Sequence, residues 1–304
     1  MENIVETINL TKKYGDKYAL DKVSVHVRKG EIYGLVGRNG AGKTTLMRII
    51  CGLSHATAGE FKLFGQRGDR PGMIAQRRGM LIEDPGYFSE FDAETNLRIK
   101  CKLLGINDRE EPQRLLRMVG LGDAGKKKVG NYSLGMKQRL GIAIAMAGNP
   151  DIVVLDEPIN GLDPQGIVDI REMIVRMRKE QGTTFIISSH ILDELSKFAT
   201  SYGIINKGSL IMECSAEELA EKCESKIELK TDSPAGAAAV LERMGFAQIR
   251  VQEDGRIDIF DSPERIGEIT LAMAGNGITT YEMTKKVGTI ENYYLNLVEG
   301  GQYA

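Results

Sequence analysis

The sequence predicts an α/β fold built on parallel strands, and three segments of one design carry that prediction. Each is an apolar run of strand length that ends in polar residues: residues 32–36, 152–155 and 185–187. Parallel α/β sheets bind ligands beyond the carboxyl ends of their strands. The three polar ends are therefore expected to meet at one edge of one sheet and to form a site there.

Length and composition limit the class of protein. The chain has 304 residues, enough for one large or two ordinary domains with a real core. A net charge of −2 argues against a broadly basic, nucleic-acid-binding surface. The first residues lack the order of a secretory signal, and no apolar stretch approaches the roughly 20 residues of a membrane span. We expect a cytoplasmic protein whose four cysteines are free thiols.

The loop after the first strand has the spacing of a nucleotide-phosphate loop. It comprises Gly37, Arg38, Asn39, Gly40, Ala41, Gly42, Lys43, Thr44 and Thr45. Glycine lets backbone amides turn inward on a polyphosphate, and the following helix adds the positive end of its dipole. Lys43 would neutralise the β- and γ-phosphates, and the Thr44 hydroxyl would hold Mg²⁺. With a strand before it and a helix after it, this loop predicts a nucleoside triphosphate site rather than an ordinary glycine-rich turn.

The polar residues after the other two strands suit the same site. Asp156 is expected in the Mg²⁺ shell, through water, and Glu157 as the general base that orients or deprotonates the attacking water. Acids also cap strands at turns, so the phosphate loop upstream is what favours the catalytic interpretation. His190 is predicted to donate a hydrogen bond or position water near the γ-phosphate. His26 and His55 are expected to be ordinary surface residues.

Residues 2–214 resemble the ATP-binding cassette (ABC) ATPases, which share the P-loop NTPase core. Residues 132–140 read Tyr-Ser-Leu-Gly-Met-Lys-Gln-Arg-Leu, similar to the family signature. Ser133 suits a helix N-cap, and Gly135 permits a close approach. The resemblance implies that both act on nucleotide held by a second cassette, so the active enzyme would be a homodimer, or a pair of related cassettes, with two shared sites. A plain helix cap is the alternative.

Other family positions follow from the same resemblance. Tyr14 matches the aromatic residue that stacks on adenine, with Tyr18 as the nearby alternative. Asp163 matches the carboxylate of a loop that crosses the dimer interface. The implied cofactors are ATP and Mg²⁺.

The chain departs from the family pattern at three positions. Glu83 replaces the usual Gln, and Leu134 and Met136 stand where Gly and Gln are commoner. A carboxylate at residue 83 can still reach Mg²⁺ or water, so Glu83 stays among the candidate catalytic and metal-binding residues. These departures resemble a branch of bacterial exporters that protect cells against peptide antibiotics of the bacitracin and lantibiotic kinds, or expel other amphiphiles.

The chain is expected to form two domains. Residues 1–214 would combine an antiparallel β subdomain carrying Tyr14, with strands near 4–10 and 23–27, a parallel core of about 30–82 and 150–212, and a helical signature subdomain of about 84–148. Residues 215–304 show the order βαββαβ, which predicts a small ferredoxin-like α+β domain with a last helix at 290–298. Dimer support or regulation is the expected role of this second domain.

The resemblance implies an ATPase subunit at the inner face of the cell membrane that drives a separately encoded transmembrane permease. The permease would dock at a cluster of three aromatic residues after Glu83: Tyr87, Phe88 and Phe91. One alternative is a soluble ABC ATPase that acts on nucleic acid or ribosomes. Such relatives usually carry a long coiled coil or two tandem cassettes, and neither pattern is present here. Another alternative is a nucleotide-dependent sensor without transport.

Overall fold

The computed structural model describes residues 2–68, 77–83, 86–223 and 225–286, together with Ile290, Tyr293, Tyr294 and Leu297. The chain divides into two compact units, Met1–Ala216 and Glu217–Ala304. Most of the last helix predicted from the sequence, at 290–298, lies outside the described residues.

The first unit contains two sheets. Its strands are β1 (Asn3–Tyr14), β2 (Lys17–Val23), β3 (His26–Arg28), β4 (Ile32–Val36), β5 (Ala58–Leu63), β6 (Gln66–Arg67), β7 (Arg78–Leu81), β8 (Ile152–Leu155), β9 (Thr184–Ser189), β10 (Ser201–Asn206) and β11 (Ser209–Ser215).

The central sheet has six strands in the order β11-β10-β4-β9-β8-β7. All neighbouring strands run parallel except β10 and β11. Every residue of β4, β8 and β9 is buried, as expected for strands covered on both faces. The α/β core predicted from the three apolar runs is confirmed, and β4, β8 and β9 are adjacent in it.

The antiparallel sheet differs from the prediction in two places. The strand expected at 23–27 is broken, because the buried Thr7 hydroxyl donates to Val23 O (3.0 Å) and accepts from Val25 N (2.8 Å). Strands β5 and β6 were expected in the parallel core, but β5 pairs with β1 and β6 with β5. Half of β5 is exposed, and such a strand does not suit a sheet covered on both faces.

The helices are α1 (Lys43–Ile50), α2 (Ala93–Leu103), α3 (Glu111–Met118), α4 (Leu134–Met146), α5 (Pro164–Gln181), α6 (Leu192–Ser196), α7 (Ala216–Lys222), α8 (Pro234–Arg243) and α9 (Ile266–Gly275). Helices α2, α3 and α4 form the helix-rich segment expected before β8. Asp92 caps α2 by accepting from Thr95 N at 2.8 Å, which fixes where this segment starts. None of the helices in the described part of the chain is long and apolar enough to cross a membrane.

The second unit follows α7 into an antiparallel sheet that carries α8 and α9. Its strands are β12 (Lys226–Thr231), β13 (Ile249–Val251), β14 (Ile257–Ile259) and β15 (Thr280–Lys286). Their order in the sheet is β13-β14-β12-β15, with α8 after β12 and α9 after β14. This is the ferredoxin-like arrangement predicted from the order βαββαβ. Its core contains Ile227, Leu229, Ile257 and Ile259, at alternate positions of the two central strands.

No disulfide joins the four cysteines, all of which lie in the described ranges, and Cys51, Cys101 and Cys214 are buried. Burial raises the pKa of the Cys51 thiol to about 12. Because the thiolate is the reactive form, this group is inert at neutral pH and acts as a small apolar side chain.

Gly79 sets how closely α4 packs on β7. A Cβ at this position would lie 1.9 Å from the backbone oxygen of Ala145, so Gly79→Ala must displace the helix. We expect a loss of about 1–3 kcal/mol in the free energy of unfolding, measured by urea titration followed by circular dichroism. Gly267→Ala is the control, because a Cβ there meets nothing within 4 Å. Equal effects of the two substitutions would contradict this account of the α4–β7 contact.

Candidate active site

The phosphate loop has little room for side chains at two of its glycines. Gly42 has φ +113°, a conformation that favours glycine. A Cβ on Gly42 would lie 2.6 Å from Ala19 O, and one on Gly37 would lie 2.5 Å from Ile205 O. Helix α1 begins at Lys43 with Gly42 as its N-cap, so no side chain covers the first-turn amides. The loop can therefore offer these N–H groups to an anion.

Lys43 is buried inside this loop with its charge neutralised by an acid. Its Nζ donates to Gly37 O at 2.6 Å and lies 3.2 Å from Glu157 Oε1. Only 6% of the Lys43 side chain is exposed, and a buried ammonium requires such partners. A phosphate entering the loop would compete with Glu157 for this cation.

A chain of hydroxyl contacts fixes the acids after β8. Asp156 accepts hydrogen bonds from Thr44 Oγ1 at 2.8 Å and from Ser188 Oγ at 2.5 Å. The Ser188 oxygen in turn accepts from Glu157 N at 2.8 Å. The end of β8 is thus joined to β9 and to the first turn of α1. These bonds hold the Asp156 side chain and the backbone of Glu157.

Thr44 and Asp156 offer the hard oxygen donors that Mg²⁺ prefers. Mg²⁺ usually keeps several waters and binds one or two carboxylates together with substrate phosphates. The residues present therefore fit a Mg²⁺ ion that arrives with its nucleotide.

The Glu157 carboxylate contacts both Lys43 of the phosphate loop and His190. One carboxylate oxygen faces Lys43, and the other lies 2.9 Å from His190 Nδ1. The backbone of Glu157 has φ +49°, an unfavourable conformation that commonly persists at functional sites. The structure thus brings Lys43, Glu157 and His190 together, as a site for attack on a γ-phosphate requires.

Glu83 has a partner that the sequence analysis did not anticipate. It follows β7 with φ +60°, and its Oε2 accepts from Arg48 Nη2 of α1 at 2.5 Å. The side chain is 60% exposed. In this structure the carboxylate at the position of the usual Gln therefore forms an ion pair with the phosphate-loop helix.

Tyr14 and Tyr18 flank the turn between β1 and β2. Both rings are about half exposed, at 52% and 50%. A lysine ammonium lies over each ring, 4.9 Å from the Tyr14 centroid and 5.2 Å from the Tyr18 centroid. The β2 strand that begins here continues to Ala19, whose carbonyl lies beside the Gly42 position. Either ring is available for stacking, so the adenine partner remains a prediction.

The signature residues form a second group. Ser133 caps α4 by accepting from Met136 N at 3.3 Å, and Asp163 caps α5 by accepting from Gly166 N at 3.2 Å. Both residues and Gly135 line an open cavity of about 670 Å³. None of the phosphate-loop residues is among the described residues that line it. An ion pair between Arg139 and Asp169 joins the two capped helices beside this cavity.

Sequence reasoning missed Ser188 and Arg48. Ser188 directly follows the apolar run at residues 185–187. A polar side chain at the end of a buried strand was the signal that could have identified it. Arg48 lies four residues after Thr44, so both occupy one face of α1. That spacing alone does not reveal its partner, because Glu83 is distant in sequence.

Comparison with known proteins agrees with this geometry. Residues 20–160 match the ABC transporter family model. A bacitracin transport ATP-binding protein of Enterococcus faecalis is 39% identical over 100% of this chain and 99% of its own length. The chain belongs to the ATP-binding cassette family of ABC transporters. It binds ATP and is an ATPase, as the resemblance in the sequence implied.

Two further relatives cover a smaller share of this chain. A lantibiotic transport ATP-binding protein of Streptococcus pyogenes is 42% identical over 67% of this chain and 88% of its own. A solved ABC transporter cassette in its ADP conformation is 26% identical, with a TM-score of 0.64 over 72% of this chain and 93% of that chain. The predicted P-loop NTPase fold of the cassette is thereby confirmed.

Ser188→Ala tests the hydroxyl chain in this cassette. The substitution removes the donor to Asp156 and the acceptor of Glu157 N. Since hydrogen bonds to charged groups contribute about 1.5–3 kcal/mol, kcat for ATP hydrolysis should fall roughly tenfold to a hundredfold. Ser196→Ala is the control, because Ser196 donates only within α6, to Asp193 O at 2.8 Å. An unchanged kcat for Ser188→Ala would exclude this role.

Proposed function

We propose that this cassette is the ATP-hydrolysing subunit of a bacterial ABC exporter that removes peptide antibiotics of the bacitracin or lantibiotic class. The observation that carries the proposal is the full-length similarity to a bacitracin transport ATP-binding protein. The cassette would act at the inner face of the cell membrane, through a separate transmembrane permease.

ATP binding at the phosphate loop would change the ion-pair partner of Lys43. Lys43 pairs with Glu157 in this structure, and it would pair with the β- and γ-phosphates of bound ATP instead. Glu157 is then free of its counter-ion and keeps His190 as its neighbour. It would accept the proton of the attacking water at a carboxylate oxygen.

Mg²⁺ would enter with the nucleotide. Thr44 and Asp156 are the proposed protein ligands, with Glu83 as a further oxygen donor. A Mg²⁺ ion held by these residues would supply positive charge beside the phosphates. Ser188 keeps the Asp156 carboxylate in place through its 2.5 Å hydrogen bond.

The separation of the two groups of residues supports shared sites. The cavity lined by Ser133, Gly135 and Asp163 does not include the phosphate loop within the described residues. The proposed active form is a head-to-tail dimer in which this group covers the γ-phosphate held by the other copy. The N-terminus of α4 would then present its positive dipole end to that phosphate.

Two exposed aromatic residues support a permease contact. The rings of Phe88 and Phe91 lie 5.8 Å apart at 52°, and the residues are 51% and 45% exposed. A paired, half-exposed aromatic surface suits a docking helix. Because it follows Glu83 closely in sequence, movement at the nucleotide could pass to the permease here. Tyr87 is more enclosed and would contribute less surface.

Glu157→Gln removes the proposed base and keeps its shape. ATP binding should be retained or strengthened, because Lys43 is no longer shared with a carboxylate. Hydrolysis should fall by at least about a hundredfold, and a stable ATP-bound dimer should appear in size-exclusion chromatography. Glu172→Gln, on the exposed side of α5, should behave as the wild type. Hydrolysis at the wild-type rate would disprove the role of Glu157.

A deletion strain tests the transport proposal. Loss of the cassette should lower the concentration of bacitracin or of a lantibiotic that inhibits growth, and the wild-type gene should restore it. A Phe88→Ser, Phe91→Ser variant should bind ATP as the wild type does but fail to restore protection. Leu103→Ser is the matched control, since Leu103 is 80% exposed on α2. Unchanged sensitivity in the deletion strain would count against peptide antibiotics as cargo.

A further inference from the structure

Two glutamates occupy equivalent positions on neighbouring strands. Leu81 of β7 and Leu155 of β8 are paired in the parallel ladder. Glu83 and Glu157 each lie two residues beyond their leucine, and both have a left-handed backbone, with φ of +60° and +49°. The backbone after β7 and the backbone after β8 therefore turn in the same way at one edge of the sheet.

Helix α1 supplies the cation for both glutamates. Lys43 Nζ lies 3.2 Å from Glu157 Oε1, and Arg48 Nη2 lies 2.5 Å from Glu83 Oε2. Arg48 is also four residues from Thr44, so the two share a face of α1 one turn apart. Arg48 thus ties the Glu83 carboxylate to the helix that also carries Thr44, a proposed Mg²⁺ ligand.

We propose that Arg48 is a positioning residue that holds Glu83 beside α1 and gives it up to the metal position when Mg²⁺ and ATP bind. The inference rests on the proposed Mg²⁺-ATP site and adds a second exchange to that of Lys43. Lys43 would leave Glu157 and bind phosphate. Arg48 would release Glu83, whose carboxylate could then approach Mg²⁺.

The exposure of the pair makes this exchange possible. The Arg48 and Glu83 side chains are 39% and 60% exposed, whereas those of Lys43 and Glu157 are 6% and 22% exposed. Exposed ion pairs are weak, so a divalent cation can compete for the carboxylate. A Gln at position 83 would need no such counter-ion. Arg48 therefore balances the negative charge of Glu83 when no metal ion is bound to that carboxylate.

The exchange predicts a shift in the dependence on Mg²⁺. Arg48 and Mg²⁺ compete for the Glu83 carboxylate. Arg48→Gln should therefore lower the Mg²⁺ concentration required for half-maximal nucleotide binding about two- to fivefold. A fivefold shift corresponds to about 1 kcal/mol. In a Glu83→Gln background the same substitution should have no effect, since the competing carboxylate is gone.

The experiment uses the full-length chain. Binding of a non-hydrolysable ATP mimic is measured by calorimetry over a series of Mg²⁺ concentrations, for the wild type, both single variants and the double variant. Arg98→Gln is the matched control, because Arg98 also forms a partly exposed ion pair, with Glu94 on α2 at 2.5 Å. Arg48→Met, which fills a similar volume without charge, replaces Arg48→Gln if that variant does not fold.

The outcomes separate this inference from the proposed function. A shift toward lower Mg²⁺ that disappears in the Glu83→Gln background supports the exchange. No shift, a shift toward higher Mg²⁺, or an equal shift with and without Glu83 overturns it. A wild-type protein that binds the mimic with no Mg²⁺ dependence, or not at all, would instead reject the proposed site.

Discussion

The site depends on one buried ion pair, between Lys43 and Glu157. A lysine with 6% of its side chain exposed needs a counter-ion close to its ammonium group. The acid that supplies it also lies beside His190, and its backbone N–H donates to the hydroxyl of Ser188. When ATP binds at this loop, a phosphate would therefore replace a carboxylate as the partner of Lys43.

Much of the fold could be predicted because its signals are local. The apolar runs of β4, β8 and β9 identify buried strands, and the glycine spacing from Gly37 to Gly42 identifies the loop between strand and helix. Strand β5 was placed wrongly because its partner, β1, lies about fifty residues earlier, and periodicity does not state a partner. Ser188 and Arg48 were missed for the same reason: each acquires its role from a residue on another strand.

In the second unit the strands could be predicted from the sequence, but the ion pairs could not. Alternating apolar residues such as Ile227 and Leu229 indicated the strands, whereas the pairing of charges on the other face depends on the three-dimensional structure. There Lys226 lies 3.0 Å from Glu228 and 2.8 Å from Asp258. Desolvation lowers the pKa of Lys226, but hydrogen bonds to these acids raise it overall. These charges pair with one another within the sheet, and the supporting or regulatory role of this unit stays a prediction.

The distance between the signature cavity and the phosphate loop has a genetic consequence for the proposed dimer. In that dimer each polypeptide would contribute the phosphate loop of one ATP site and the signature residues of the other. Two alleles damaged in different parts could then restore one working ATP site when expressed together, whereas either allele alone would leave none. A single allele damaged in both parts would leave every mixed pair without an intact ATP site, so excess of that product would suppress the normal gene.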